Sequence, residues 1–311
     1  MQGGVGDYTR EIGLALCELG CQVHVATSNQ AGPVLGLTVH PVVERWSWGC
    51  WSTLAELIGR HQPDVVHIQY QAAAYAMHPA INFLPRRLAG WGQSRPRSVV
   101  TFHDLKVPYL FPKAGRLRRW VVNELALRSD AAITTNREDF ERLEQELGST
   151  PALIPIGSNI EPRLPEGYDR DAWRAHWGTR PGDLLLCTFG FVHQRKGVDT
   201  LLHALGLLAA GPEGPPNPQL LMIGGQTGAS DPTNVAYLER MRSLIKDLGL
   251  ADRVKWTGYV PAEEVTASFQ AADLCVLPYR DGASFLHGTF HAALAHGVPI
   301  LTTQPRVSLP E

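Results

Sequence analysis

Hydrophobic positions in this chain fall into short β-branched runs separated by stretches with helical spacing, and the alternation runs almost from end to end. That rhythm predicts parallel sheets wound with helices, an α/β fold. In the first half, 22–27 (QVHVAT), 64–70 (DVVHIQY), 98–104 (SVVTFHD), 131–136 (AAITTN) and 152–156 (ALIPI) read as strands; the helices between them include 8–19 and 137–147. The pattern lapses over 161–183, where Pro162, Pro165, Gly167, Gly178, Pro181 and Gly182 surround one short helix at 171–177, and this stretch reads as a linker region. Strands resume at 184–189, 219–223, 254–258, 274–277 and 299–303, which predicts two domains, 1–160 and 161–311. Within the second, 211–218 (GPEGPPNP) reads as a surface loop.

Composition sharpens this picture in three ways. A length of 311 residues with 44% hydrophobic content is enough for two cores. The formal charge of -2, from 28 basic and 30 acidic residues mixed along the chain, supplies no field that would attract nucleic acid, so a small-molecule partner is expected. Cys17, Cys21, Cys50, Cys187 and Cys275 form no CxxC pair and read as reduced thiols of a cytoplasmic protein. No apolar run approaches the roughly 20 residues that cross a bilayer, and the first residues do not resemble a secretion signal. The basic segment Gly115 to Trp120 (GRLRRW), with Arg86 and Arg87, is a candidate for peripheral contact with an anionic membrane; a solvated helix face reads the same way.

Parallel strands deliver their following loops to one sheet edge, so two such domains would share a cleft lined by those loops. The chain opens with Gly3-Gly4-Val5-Gly6 before a helix expected from Tyr8, a glycine turn suited to a phosphate at a helix N-terminus. A disordered terminus gives the same residues, and the strand that should precede such a turn is missing, so a truncated start is expected. His103 and Asp104 are assigned to the C-terminal end of a strand, where a histidine can contact substrate oxygens or share a proton. His67 is assigned to the equivalent end of another strand, in a structural role. His287 and His291 are four apart, but HGTFH lacks the glutamate of HExxH, and no metal site is expected there. The pair Cys17 and Cys21 is read as packing.

In order and spacing, GGVGDYTRE, PDVVHIQ, VVTFHD, LIPIGSNI, FGFVHQRKGVDTLLHAL, LLMIGG, DRVKWTGYVP, AADLCVLPY and ALAHGVPILTT resemble family 4 of the GT-B glycosyltransferases, over nearly the whole chain. The resemblance implies two Rossmann-like domains facing each other across a cleft. It also implies transfer of a sugar from a nucleotide diphosphate sugar to an acceptor hydroxyl, with retention of configuration. The donor is a co-substrate, and no cofactor or metal is implied; the acceptor, whether polysaccharide, lipid or small molecule, stays open.

By the same resemblance, Lys196 corresponds to the lysine that reaches the donor pyrophosphate, while Phe191 stands where the family carries an arginine and Arg195 is the candidate substitute. Gly190, Gly224 and Gly225 are candidates for close backbone approach, and Gly258-Tyr259 for the loop that receives the nucleobase. Aligning on Gly297-Val298-Pro299 puts Ser284 and Ala292 where retaining members carry two glutamates with seven residues between them. The amides of Phe285 and Leu286 are then candidate diphosphate donors, Asp281 a candidate displaced carboxylate and His287 a candidate phosphate donor. Family members continue beyond the PILTT strand, so truncation at the far end, with poor solubility or weak activity, is also expected. A non-catalytic GT-B relative is the rival reading, because both glutamates are replaced. A nicotinamide oxidoreductase would need GxGxxG and an acidic residue closing the second strand, which Thr27-Ser28-Asn29 does not supply.

Overall fold

The computed structural model describes residues 4–105, 115–148, 150–211, 217–225 and 232–306, with backbone alone at 115–118 and 232–233. Gly3 and most of 211–218 lie outside the described residues, as do the side chains of 115–118 in the basic segment. The chain divides into two compact α/β units, Met1–Ile156 and Gly157–Glu311.

Unit 1 runs α1 (Gly4–Glu18), β1 (His24–Ser28), β2 (Thr38–Val43), α2 (Cys50–His61), β3 (Val65–Tyr70), α3 (Leu84–Ala89), β4 (Arg97–Phe102), α4 (Gly115–Arg128), β5 (Ala131–Thr134), α5 (Arg137–Leu147) and β6 (Ala152–Leu153). All its ladders are parallel: β1 pairs with β2, and β3, β4, β5 and β6 form a second sheet in that order. Among the described residues no ladder joins the two sheets. The hydrophobic pattern did not point to β2, which contains Pro41; a strand edge tolerates a residue that cannot donate. Short polar residues set the helix limits. Asn136 accepts from Asp139 N–H at 2.8 Å to start α5, and Gly148, in the left-handed region, ends it. Buried Ile68, Tyr70, Val100, Phe102 and Leu125 belong to the core on which these elements pack.

Two expectations are corrected here. The first helix starts at Gly4 rather than Tyr8, so Gly4 and Gly6 form its first turn, where N–H groups are free whatever the side chain. His67 sits in mid-strand, paired with Val99, because the β3–β4 ladder continues to Tyr70 and Phe102.

Unit 2 runs α6 (Arg170–His176), β7 (Leu185–Phe189), α7 (Val198–Ala210), β8 (Gln219–Ile223), α8 (Pro232–Asp247), β9 (Val254–Gly258), α9 (Ala262–Ala271), β10 (Leu274–Leu277), α10 (Gly288–Ala295) and β11 (Ile300–Thr302). The stretch read as linker is anchored. Buried Arg174 on α6 donates to the Ala271 carbonyl at 2.7 Å, the Asp183 carbonyl at 2.7 Å and Asp273 at 3.1 Å, and Asp273 in turn accepts from Leu185 N–H at 2.8 Å.

The five parallel strands of this sheet lie in the order β11-β10-β7-β8-β9. Successive residues of a strand point to opposite faces, and both faces are covered. Leu185, Cys187, Leu221, Ile223, Cys275 and Leu277 pack on one side with Phe269, while Leu186, Leu220, Met222 and Val276 pack on the other with Leu202 and Met241. Cys187 and Cys275 are register partners, fully buried and free, and burial pushes the Cys187 thiol well up.

Candidate active site

In unit 2 the chain lays β8 and β9 to one side of β7 and then crosses to β10 on the other. Where crossovers diverge, the helices separate and leave a crevice outside the strand C-termini. Here the loops leaving that point are 190–197 after β7 and 278–287 after β10.

The first loop is built around Lys196. Gly190 follows β7 at φ +95, and a Cβ there would overlap Lys196 Nζ and approach Thr289 Cγ2 to 2.7 Å. Lys196 closes a 3-10 turn, Gln194–Lys196, and Gly197 follows at φ +65, where a Cβ would overlap the Pro278 carbonyl. These contacts fold the lysine inward across Gly190 until Nζ donates to the Phe189 carbonyl at 2.7 Å. Burial lowers its pKa to about 7.

Around this ammonium, Tyr279 donates or accepts at 2.7 Å with Thr289 Oγ1, and its ring stacks on His287 at 3.9 Å between centroids. Burial pushes the Tyr279 phenol up. His287 is the N-cap residue of α10, with Nε2 3.8 Å from Asp281 Oδ1. His193 is lowered to about 4, by burial first and then by the charges of Lys196, Arg195 and His287, so it is neutral at pH 7. Arg195 is exposed, and its carbonyl accepts from Arg280 N–H at 2.8 Å.

Gly190, Arg195, Lys196, Asp281 and His287 are therefore brought together, with His193, Tyr279 and Thr289 as members that sequence reasoning missed. His193 stood inside a quoted motif, but the approach of Tyr279 and Thr289 depends on how the loop after β10 folds back. Gly224 adjoins through close backbone packing: a Cβ on it would lie 3.3 Å from Gly190 Cα, and its N–H donates to Thr257 Oγ1 at 2.9 Å. Gly225 lies under the Phe191 ring, where a Cβ would come within 2.7 Å. Gly258 forms a bridge with Gly224, whereas the Tyr259 side chain is 80% exposed. In the loop before α10, Ser284 Oγ already accepts from Leu286 N–H at 3.2 Å, and the Phe285 carbonyl accepts from His291 Nε2 at 2.7 Å. Ala292 is fully buried in the core.

In unit 1, His103 follows the last residue of β4, and its N–H donates to the Tyr70 carbonyl at 2.9 Å. Its Nε2 lies 3.1 Å from Gln69 Oε1, Gln69 Nε2 lies 3.2 Å from His67 Nε2, and His67 Nε2 lies 2.8 Å from Thr101 Oγ1. Read as a donor chain, this network keeps the His103 proton on Nε2 and leaves Nδ1 as the acceptor. Burial, then His67, lowers His103 to about 4. The Tyr8 ring of α1 meets it edge-on at 4.7 Å, which brings the Gly4–Gly6 turn to the same strand edge. Asp104 is held by Gln71 Nε2 at 3.4 Å. Arg86 and Arg87 line a groove with Trp48, Trp51, Phe83 and Gly90, and Arg86 pairs with Glu124 at 3.4 Å.

Residues 2–161 match the model of glycosyltransferase family 4. The chain belongs to that family. The second half of this family-4 chain, residues 183–311, matches the glycosyl transferases group 1 model. It is 28% identical over 258 residues to a GDP-mannose-dependent α-(1-6)-phosphatidylinositol monomannoside mannosyltransferase of Mycolicibacterium smegmatis; the match takes in 80% of this chain and 61% of that protein. The chain thus spans about three fifths of that relative's length. Sucrose-phosphate synthase from Thermosynechococcus elongatus has the same fold with a TM-score of 0.67 and 21% identity, over 96% of this chain and 75% of the other. HepE from Anabaena, in complex with UDP and glucose, matches with a TM-score of 0.68 and 17% identity, over 98% and 83%. These likenesses and the two parallel α/β units identify the fold as GT-B, with Rossmann-like units.

Proposed function

We propose that this family-4 chain is the core of a glycosyltransferase that moves a sugar from a nucleotide diphosphate sugar to an acceptor hydroxyl. The observation that carries the reading is the inward fold of Lys196 over Gly190 at the switch point of the unit 2 sheet. A leaving diphosphate gains negative charge as the glycosidic bond breaks, and an ammonium fixed beside the strand end stabilises that charge without reorganising. Arg195, the glycine-rich backbone at 190 and 224–225, and the amides around 285–286 supply further donors once Leu286 N–H exchanges its Ser284 partner for phosphate. The Gly258-Tyr259 loop would receive the base. The neutral His103 ring, its proton held on Nε2 by Gln69, would orient an acceptor hydroxyl through Nδ1, with Asp104 beside it.

Retention of configuration and independence of metal belong to the same proposal, the transition state being oxocarbenium-like. Relatives described as GDP-mannose-dependent and a structure holding UDP both support a nucleoside diphosphate donor. The arginine and aromatic groove at Trp48, Trp51, Phe83, Arg86 and Arg87 supports an acceptor presented at an anionic lipid surface, which co-sedimentation with phosphatidylglycerol vesicles would check.

A second reading, binding of a sugar nucleotide without transfer, is favoured by one observation: the positions aligned with the family glutamates hold Ser284, engaged as a local cap, and Ala292, buried in the core. A thermal-shift panel of UDP and GDP sugars, followed by assay of donor consumption, separates the readings. Stabilisation with turnover that falls in Lys196→Ala supports transfer. Stabilisation without turnover leaves binding, and no response to any nucleotide sugar would remove both.

A further inference from the structure

Three histidines of unit 1 that the proposed reaction does not use converge at one place. His24 opens β1, His40 is the third residue of β2, and His61 ends α2. One ring nitrogen from each lies within 4.8 Å of the other two. His24 Nδ1 and His40 Nε2 are 2.9 Å apart, and the ring centroids are separated by 5.2 Å (His24 to His40), 4.2 Å (His24 to His61) and 4.9 Å (His40 to His61). We propose that His24, His40 and His61 form a binding site for a divalent transition-metal ion of the zinc type, separate from the sugar-transfer machinery.

Geometry carries this assignment. A tetrahedral zinc ion bound at about 2.0–2.1 Å sets its nitrogen ligands roughly 3.3 Å apart, a value inside the range these nitrogens span. Small side-chain rotations at His61, which is exposed at a helix end, are enough to close the third side. Three imidazoles with an open fourth position for water are a ligand set that zinc, nickel, cobalt and copper all accept. The facing pair His24 and His40 already shares one proton between two nitrogens; binding moves that proton to the far nitrogen of its ring, a change of tautomer with no change of charge.

The groups acting on His40 are all basic: His24, His61 and Arg60. Arg60 is paired at 2.7 Å with Glu56 one turn back on α2, which offsets its charge on an approaching cation.

The site is set apart from His103 along α1. Helix α1 meets His103 through Tyr8, its fifth residue, and from there to its end at Glu18, shortly before His24, it extends about 15 Å. An ion there would join α2 to the β1–β2 ladder, which no ladder joins to the β3–β6 sheet among the described residues. Its role is accordingly structural or regulatory.

The test uses the full chain without a histidine tag, stripped with EDTA, dialysed against zinc and measured for metal content and affinity. One zinc per chain is expected. Loss of an outer-shell partner alone costs a metal site about 10–100-fold, so His61→Ala and His40→Ala should weaken binding at least about tenfold while His203→Ala, an exposed histidine elsewhere, leaves it unchanged. A cobalt titration of the unaltered chain needs no variant: intense visible bands of a four-coordinate ion are expected. Equal zinc binding in His24→Ala, His61→Ala and the parent, or a cobalt spectrum of the hexaaquo ion alone, overturns the site.

Discussion

Lys196 Nζ donates to the main-chain carbonyl of Phe189 at 2.7 Å, beside Gly190, where an added Cβ would overlap it. The lysine is thus held inward at the end of β7 by a backbone carbonyl. A partly desolvated ammonium on a neutral carbonyl is weakly compensated, which is why burial brings its pKa to about 7. A diphosphate arriving there would supply the missing counter-charge.

Lys196→Ala should lower kcat about 10²–10³-fold, the usual cost of deleting one preorganised donor to a developing anion. Lys196→Arg should recover only part, because the longer planar fork must find room over Gly190. Steady-state kinetics with a donor identified by the thermal-shift panel checks both.

Nucleoside diphosphate binding should take up a proton. Lys196 is half-protonated near pH 7 when free and fully protonated beside phosphate, so affinity should fall as pH rises from 7 towards 9. Calorimetry in buffers of different ionisation enthalpy measures the uptake. The sign for stability is opposite: between pH 7 and the ordinary lysine pKa the unfolded chain binds more protons, so this group makes stability rise with pH there.

Gly190→Ala should damage donor binding and stability together. The position lies at φ +95, and an added methyl meets Lys196 and Thr289. Backbone strain of this kind costs about 1–3 kcal/mol. Thermal melting with and without a nucleotide ligand separates the two effects; an unchanged nucleotide shift in a folded Gly190→Ala protein would count against the placement of Lys196.

His103→Ala should reduce turnover about 10²–10⁴-fold if the ring shares a proton with the acceptor. Because burial lowers its pKa to about 4, the rate should show no histidine titration near 6.5 and should fall only in more acidic buffer. Gln69→Leu leaves Nε2–H without its acceptor; it should lower turnover and move that acid limb while leaving donor KM unchanged.

Arg174→Ala should destabilise unit 2 by about 3 kcal/mol or more, since the guanidinium is buried and ties α6 to β10 through Asp273. Burial alone would raise the Asp273 pKa, but Leu185 N–H, Arg170 and Arg174 outweigh it and lower it. The stabilisation from Asp273 is therefore present above the ordinary carboxylate pKa and lost as pH falls through the depressed one. Urea melts across pH 2–6 of parent and variant would report it.

The α/β class, the alternation of strands and helices apart from β2, and the motif loops were determined by the sequence itself, because period-2 and period-3.6 patterns and turn residues act locally. Lys196, Gly190 and Asp281 were named through the resemblance to family 4. Tertiary structure decided what depends on contacts between distant segments. Tyr279 and Thr289 reach the Lys196 loop only because β10 pairs beside β7. Three histidines separated by intervals of 16 and 21 residues show no ligand spacing along the chain; the β1–β2 ladder and the end of α2 bring them together.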